Sequence, residues 1–122
     1  MEIKGEAKLL RIFISSTDKF KHTPLYEMLV FAAKRYGLAG ATVLRGVMGY
    51  GSSSKVHSMK FWEITEKLPM VVEILDESEK IEKYLEKILP WFDKLRYGCM
   101  ITIEKANIVL YKQGSKNSLF HL

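Results

Sequence analysis

Cysteine and long apolar runs are the features that this sequence lacks most clearly. Its 122 residues include one cysteine, Cys99, so an intrachain disulfide is excluded. A lone thiol is typical of a reducing compartment. No apolar run approaches the roughly 20 residues that span a bilayer, and the first residues do not have the profile of a signal peptide. We therefore expect a cytoplasmic protein.

Residue patterns for metal binding and catalysis are also scarce. His22, His57 and His121 show no paired spacing of the kind that metal sites use, and Cys99 stands alone in an apolar segment. Nothing local supports a Ser–His or Cys–His catalytic pair. The sequence therefore predicts no metal, no cofactor and no catalytic residues.

The charge balance is basic and favours an anionic partner. Nineteen Lys and Arg residues stand against 14 Asp and Glu residues, which gives a net charge of +5. Nucleotides, nucleic acids and acidic lipids are the partners that such a charge attracts. The alternative is that Lys and Glu simply alternate on solvated faces, as they do in residues 82–87.

The length predicts one domain, built from four strands and two helices. We take residues 1–122 as a single domain with a core over 8–112 and a C-terminal tail over 113–122. Apolar and β-branched residues predict strands over Leu9–Ser15, Ala41–Met48, Met70–Leu75 and Cys99–Lys112.

Helical periodicity lies between these strands. For the first helix we expect Thr23 as N-cap, Pro24 at the first helical position and Gly37 just after the end. The second helix should begin near residues 76–78. Pro90 should bend or end it, because proline cannot donate to the helical ladder.

The order βαββαβ predicts an α+β fold. It is the ferredoxin-like sandwich, a four-stranded antiparallel sheet with two helices on one face. The strands Leu9–Ser15 and Met70–Leu75 carry apolar residues on both faces. An uncovered apolar face would be a large exposed patch, so we expect a second copy of the chain to cover it.

A glycine-rich stretch, residues 45–58 (RGVMGYGSSSKVHS), follows the second predicted strand. It is not a Walker A loop, because Ser52 stands where lysine is required, and Ser54 replaces the third glycine of a dinucleotide fingerprint. Gly49 and Gly51 could still turn successive backbone amides toward one anion. Donors could be added by the side chains of Ser52, Ser53, Lys55 and His57. The alternative is a hairpin loop with solubilising serines.

Five pieces of the chain carry a family resemblance: KLLRIFI, PLYEMLV, GLAGATVLRGVMGYG, LPMVVEILD and GCMITIEKANIVLYK. Over residues 8–112 they resemble domain of unknown function 190, a prokaryotic family that is similar to the PII nitrogen-regulatory proteins. That resemblance implies a PII-like homotrimer that binds adenine nucleotides between subunits and signals through a loop. Gly49-Tyr50-Gly51 resembles the Gly-Phe-Gly at the base of that loop, and Lys112 stands where arginine is usual.

The sequence also departs from the PII pattern. Ser53 stands where PII proteins have a glutamine, and Leu110 replaces a phosphate-binding arginine. The glycine-rich loop before the last strand is reduced to Gly98, with Cys99 near its lysine position. Fewer cations should hold fewer phosphates, so the departures favour AMP over ATP.

The resemblance implies a ligand site and a switch. Adenine is expected against Phe13 and Thr42, with phosphate near the glycine stretch and Lys112, while Ser52–Met59 would form the switch segment. The full set of candidate ligand-binding residues is Phe13, Thr42, Arg45, Gly49, Gly51, Ser52, Ser53, Lys55, His57 and Lys112. The expected partners are other copies of the chain, an adenine nucleotide and a target protein.

Two other functions stay open at this point. RNA-recognition domains share the strand order, and residues 12–15 resemble one of their two short strand motifs. The other motif is missing, because LPMVVEIL has no aromatic residue. A small enzyme acting at the subunit cleft is the third reading.

Overall fold

The computed structural model describes residues 5–51, 57–58 and 67–114, and of residues 57–58 only the backbone. The elements in chain order are β1 Gly5–Ser15, β2 Lys19–Phe20, β3 Thr23–Pro24, α1 Leu25–Arg35, β4 Thr42–Arg45, β5 Met48–Gly49, β6 His57–Ser58, β7 Pro69–Asp76, α2 Ser78–Asp93 and β8 Met100–Ile108. Within the described ranges, neither helix has the length and apolar character needed to cross a membrane.

The main sheet has four strands in the order β4-β7-β1-β8. Every neighbouring pair is antiparallel, and β1 lies between β7 and β8, with Ile12 opposite both Val72 and Ile101. Two short ribbons, β2 with β3 and β5 with β6, stand outside this sheet. The predicted α+β ferredoxin-like fold is confirmed.

The core lies between the two helices and one face of the sheet. Side chains alternate along a strand, and in β1 the residues Leu10, Ile12 and Ile14 are the buried ones. Helix α2 adds its buried stripe to this core, and the hydroxyl of buried Tyr84 donates to the Leu29 carbonyl of α1 at 2.7 Å. The two helices are therefore joined to each other as well as to the sheet.

Helix α1 ends as predicted but begins differently. Gly37 has a φ of 79°, and its N–H donates to the Lys34 carbonyl while the Leu38 N–H donates to the Ala33 carbonyl. This pair of bonds is a Schellman cap, which requires a residue in the left-handed region. The predictions of Thr23 as N-cap and of Pro24 as the first helical residue are both wrong, because the helix begins at Leu25. Thr23 and Pro24 pair with β2, and no side chain caps the helix.

The prediction for Pro90 is also wrong in part. Pro90 lies inside α2, which continues to Asp93. The last turn carries Trp91 and Phe92, which pack against the buried core. Burial of these aromatic side chains favours continuation of the helix and offsets the hydrogen bond that proline cannot make.

Two strands are shorter than predicted. The second main strand, β4, ends at Arg45, where the Gly46 N–H donates to the Pro69 carbonyl at 2.7 Å and the chain bends. Strand β8 ends at Ile108 and not at Lys112. Residues 109–114 have no regular structure, and the rest of the predicted tail lies outside the described residues.

The sheet face opposite the helices is mixed rather than uniformly apolar. Arg11 in β1 pairs with Glu73 in β7 and Glu104 in β8, so an ion network crosses the centre of this face. The prediction of two apolar faces did not include this ion network. It was based on the apolar residues of β1 and β7 and left out the charged Arg11 and Glu73 between them. Apolar side chains surround the network on the same face, as the register shows: Leu9, Phe13, Leu44, Val71, Leu75 and Met100. We call this surface the open face.

Candidate functional site

A cavity of about 660 Å³ lies at one end of the sheet. The antiparallel register brings the last residues of β1 beside the first residues of β7 and β8, since Ser15 lies opposite Pro69 and Phe13 opposite Met100. The glycine segment after β4 and the loop before β8 complete the wall. Four stretches that are far apart in the chain therefore meet here.

Gly46 and Gly49 allow the glycine segment to pack closely against Pro69. A Cβ on Gly46 would lie 2.7 Å from the Pro69 Cγ, and one on Gly49 would lie 3.2 Å from the same atom. Gly51, by contrast, borders open space. Gly49, Tyr50 and Gly51 all line the cavity, so their backbone is available to a ligand there.

Asp18 is the most unusual group in the wall. It follows β1 and is 1% exposed, and its Oδ2 accepts a hydrogen bond from the Ser15 N–H at 2.9 Å. Its Oδ1 is buried and has no hydrogen-bond partner among the described residues. Burial raises the pKa of this carboxyl, while the Ser15 hydrogen bond and the charge of Lys67 act in the opposite direction.

Cationic and aromatic side chains line the same cavity. Lys67 precedes β7, and Arg96 and Tyr97 lie in the loop between α2 and β8. Cys99 belongs to this loop as well. Partial burial, and then the negative charge of Asp18, raise the pKa of its thiol. The wall thus combines two cations, one buried carboxyl and an apolar surface.

The candidate residues from the sequence divide into three groups. Those that line the cavity are Phe13, Gly49 and Gly51. Those that are exposed and do not line it in their own chain are Thr42, Arg45 and Lys112. Ser52, Ser53 and Lys55 lie outside the described residues, and only the backbone of His57 is described, in β6.

Sequence reasoning missed Asp18, Lys67 and Arg96. A signal for Arg96 is present in the sequence, because it belongs to the loop LRYGCM, but the resemblance to the PII pattern in that loop concerns only its glycine and lysine positions. No local pattern marks Asp18 or Lys67, because their place beside the cavity depends on which strands pair. In the part of the chain that the structure describes, no cluster of three or more His, Cys, Asp or Glu side chains could hold a metal ion.

The fold is that of the PII-like proteins. The chain is similar to CPII from Thiomonas intermedia K12, solved with ADP and bicarbonate, with a TM-score of 0.62 and 16% identity over 84% of this chain and 88% of that chain. It is also similar to a putative PII-like signalling protein from Thermus thermophilus, with a TM-score of 0.61 and 20% identity over 88% and 94%. At these identities the likeness shows the fold alone.

The family is shown by sequence. The chain belongs to the uncharacterised ACR family DUF190, whose model matches residues 7–108. A UPF0166 protein from Aquifex aeolicus (strain VF5) is 41% identical over 102 residues, which are 84% of this chain and 92% of that protein. Another from Methanocaldococcus jannaschii is 34% identical over 103 residues, with coverage of 84% and 92%. The predicted family is confirmed.

Proposed function

We propose that this chain is a non-catalytic regulatory module that binds an adenine nucleotide in the cavity at the end of the sheet. The observation that carries the proposal is the cavity itself. Its volume of about 660 Å³ falls in the range of roughly 300–1,000 Å³ that small-molecule sites occupy. Support comes from the shared fold, because CPII was solved with ADP, AMP and bicarbonate.

The wall offers a surface for each part of such a ligand. Phe13, Met70 and Met100 are apolar and suit a purine ring, while the backbone at Gly49–Gly51 can approach a phosphate closely. Lys67 and Arg96 supply positive charge. Two described cations match one or two phosphates better than three, so the proposal keeps AMP as the favoured ligand over ATP.

The proposal includes a homotrimer with the ligand between subunits. The apolar residues around the ion network of the open face would be covered by neighbouring copies. Thr42, Arg45 and Lys112 do not line the cavity of their own chain, so here they would reach the ligand of a neighbouring subunit. The switch segment Ser52–Met59 lies outside the described residues, except for the backbone of 57–58, and stays a prediction.

RNA binding is not favoured by the open face. RNA-recognition sheets stack bases on aromatic side chains of two central strands. Here β1 offers Phe13, but the facing residues of β7 are Val71, Glu73 and Leu75. Two carboxylates at the centre would also repel a phosphate backbone.

Calorimetric titration with adenosine, AMP, ADP and ATP tests the proposal. We expect AMP to bind more tightly than adenosine and at least as tightly as ATP, without turnover. Lys67→Gln should weaken AMP binding and leave adenosine binding nearly unchanged. Lys83→Gln, which removes an exposed cation of α2 away from the cavity, is the matched control and should change neither.

Two results would contradict the proposal. If no adenine nucleotide binds or raises the melting temperature, the cavity is not a nucleotide site, because a ligand that binds only the folded state must stabilise it. A clear preference for ATP over AMP would be consistent with a nucleotide site in the cavity. It would contradict the expected preference for AMP, which is based on the number of cations in the wall.

A further inference from the structure

One carboxylate oxygen of Asp18, at the cavity wall, is an unsatisfied hydrogen-bond acceptor among the described residues. Its Oδ2 is held by the Ser15 N–H, but its Oδ1 has no partner within the described residues and is shielded from solvent. Buried polar atoms are nearly always hydrogen-bonded, because an unsatisfied one costs free energy. Oδ1 is shielded from solvent in the single chain, and a donor on a molecule that occupies the cavity would satisfy it.

Neighbouring side chains do not supply this donor. Lys67 is the nearby cation whose charge acts on Asp18, yet the two form no ion pair in the part of the chain that the structure describes. Tyr50 and Tyr97 line the same cavity and do not hydrogen-bond to Oδ1 either. The terminal torsion of aspartate is broad, so a small rotation can present Oδ1 to the cavity while Oδ2 keeps the Ser15 N–H.

The cavity therefore holds one unsatisfied acceptor together with two cations. A ligand that satisfies all three must have an N–H or O–H donor at one place and an anionic group at another. An adenine nucleotide has both, since its 6-amino group and its ribose hydroxyls are donors and its phosphate is the anion.

We propose that Asp18 is a specificity-determining residue whose Oδ1 accepts a hydrogen bond from the nucleoside part of the ligand, while Lys67 and Arg96 contact the phosphate. This inference rests on the proposed function and deepens it, because it names which ligands the site rejects. A phosphorylated sugar or purine without the required donor leaves Oδ1 unsatisfied and binds more weakly.

Ligand analogues and the variant Asp18→Asn test the inference together. The analogues are purine riboside monophosphate, which lacks the 6-amino group, and 2′-deoxy-AMP and 3′-deoxy-AMP, which each lack one ribose hydroxyl. We expect the wild-type protein to bind AMP about 10-fold or more tightly than at least one of them, since a buried acceptor is then left unpaired. The analogue that loses affinity identifies the donor.

In Asp18→Asn the amide oxygen can still accept from the Ser15 N–H, and the amide NH₂ replaces Oδ1. A donor then faces a donor, so AMP affinity should fall and the difference between AMP and the weakened analogue should shrink to about 2-fold or less. Affinity for inorganic phosphate should not fall, because the substitution removes a negative charge from the cavity and no donor of the nucleoside is involved. The melting temperature without ligand is the control for folding of the variant.

The outcomes separate this inference from the proposed function. If AMP binds but every analogue binds equally well, or if Asp18→Asn keeps the wild-type discrimination, Asp18 does not select the ligand and the nucleotide site remains. If the wild-type protein binds no adenine nucleotide, both proposals are wrong.

Discussion

At the scale of single residues, Asp18 and Cys99 are linked through the cavity they share. Burial raises the pKa of the Asp18 carboxyl, and partial burial together with the Asp18 charge raises the pKa of the Cys99 thiol. The thiolate is the reactive form of cysteine, so a raised pKa lowers reactivity at neutral pH. Chemical modification of Cys99 is therefore a probe of the cavity.

We predict that Cys99 reacts with iodoacetamide more slowly in the native protein than in the denatured chain at neutral pH. Asp18→Asn removes a negative charge that disfavours the thiolate, so it should lower the thiol pKa and increase the native rate. Mass spectrometry of the alkylated protein over a pH series measures both effects. Glu82→Gln on α2, away from the cavity, should leave the rate unchanged.

An unchanged or slower rate in Asp18→Asn would contradict this prediction. It would mean that the two groups do not interact in solution, and the cavity would then differ from the one described.

Single residues of the site were predictable only where a motif identified them. The glycine-rich stretch pointed to Gly49 and Gly51, and the family resemblance implied Phe13; all three line the cavity, and their contact with a ligand stays a prediction. Asp18 was not found, because its importance depends on a hydrogen bond to Ser15 and on burial against other segments. Neither of these can be read from the residues on either side of it.

At the scale of elements, the contact between Gly46 and Pro69 holds the glycine segment against β7. The Gly46 N–H donates to the Pro69 carbonyl, and its Cα lies so near the ring that a methyl group has no space. The glycine is required by this close approach and not by a left-handed backbone, since the positive-φ glycines are Gly5 and Gly37 among the described residues.

We predict that Gly46→Ala destabilises the protein by about 1–3 kcal/mol, the usual cost of forcing an added methyl into a packed site. Gly40→Ala is the matched control, because a Cβ there meets nothing within 4 Å and its φ is not positive. The control should change the unfolding free energy by less than about 1 kcal/mol. Denaturant unfolding of both variants measures the difference, and equal stabilities would show that the Gly46 contact is not tight.

Element types were more predictable than element ends. The apolar periods of α2 and β1 are strong because each element buries one side against the same core. The ends depend on tertiary contacts instead. Thr23 pairs with β2 and so does not cap α1, and α2 passes Pro90 because the aromatic residues after it are packed.

At the scale of the whole molecule, the open face is the surface that the proposed trimer would use. Its ion network pairs Arg11 with both Glu73 and Glu104 within one chain and carries a net charge of −1. Association would bury the apolar residues around the network while each of the three charged groups keeps a partner in its own chain. A mixed face of this kind suits an interface better than an apolar face with a lone charge.

We predict that the wild-type chain forms a trimer and that Leu44→Lys on the open face weakens it by about 10-fold or more, because burying an unpaired ammonium is costly. Phe31→Lys on α1 is the matched control, since Phe31 is 63% exposed on the helix layer and Leu44 is 48% exposed on the open face. Native mass spectrometry and light scattering over a range of concentrations measure the assembly. A monomeric wild-type protein, or equal effects of the two variants, would contradict the role of the open face.

The strand order of the sheet could be predicted, because the βαββαβ order along the chain is typical of the ferredoxin-like fold. The mixture of charged and apolar side chains on the open face could not. Apolar residues were counted along single strands, whereas the ion network joins side chains of three strands. The strand register places Arg11 opposite both Glu73 and Thr102. The Arg11 side chain also forms an ion pair with Glu104 of β8.

The position of β1 at the centre of the sheet also affects how the protein is made. This strand is synthesised before the others of the main sheet, yet its two partners, β7 and β8, begin at Pro69 and Met100. At roughly 5–20 residues per second, a ribosome needs several seconds to supply even the nearer partner. Throughout that interval the nascent chain carries an unpaired apolar strand, which is a suitable target for a chaperone at the tunnel exit.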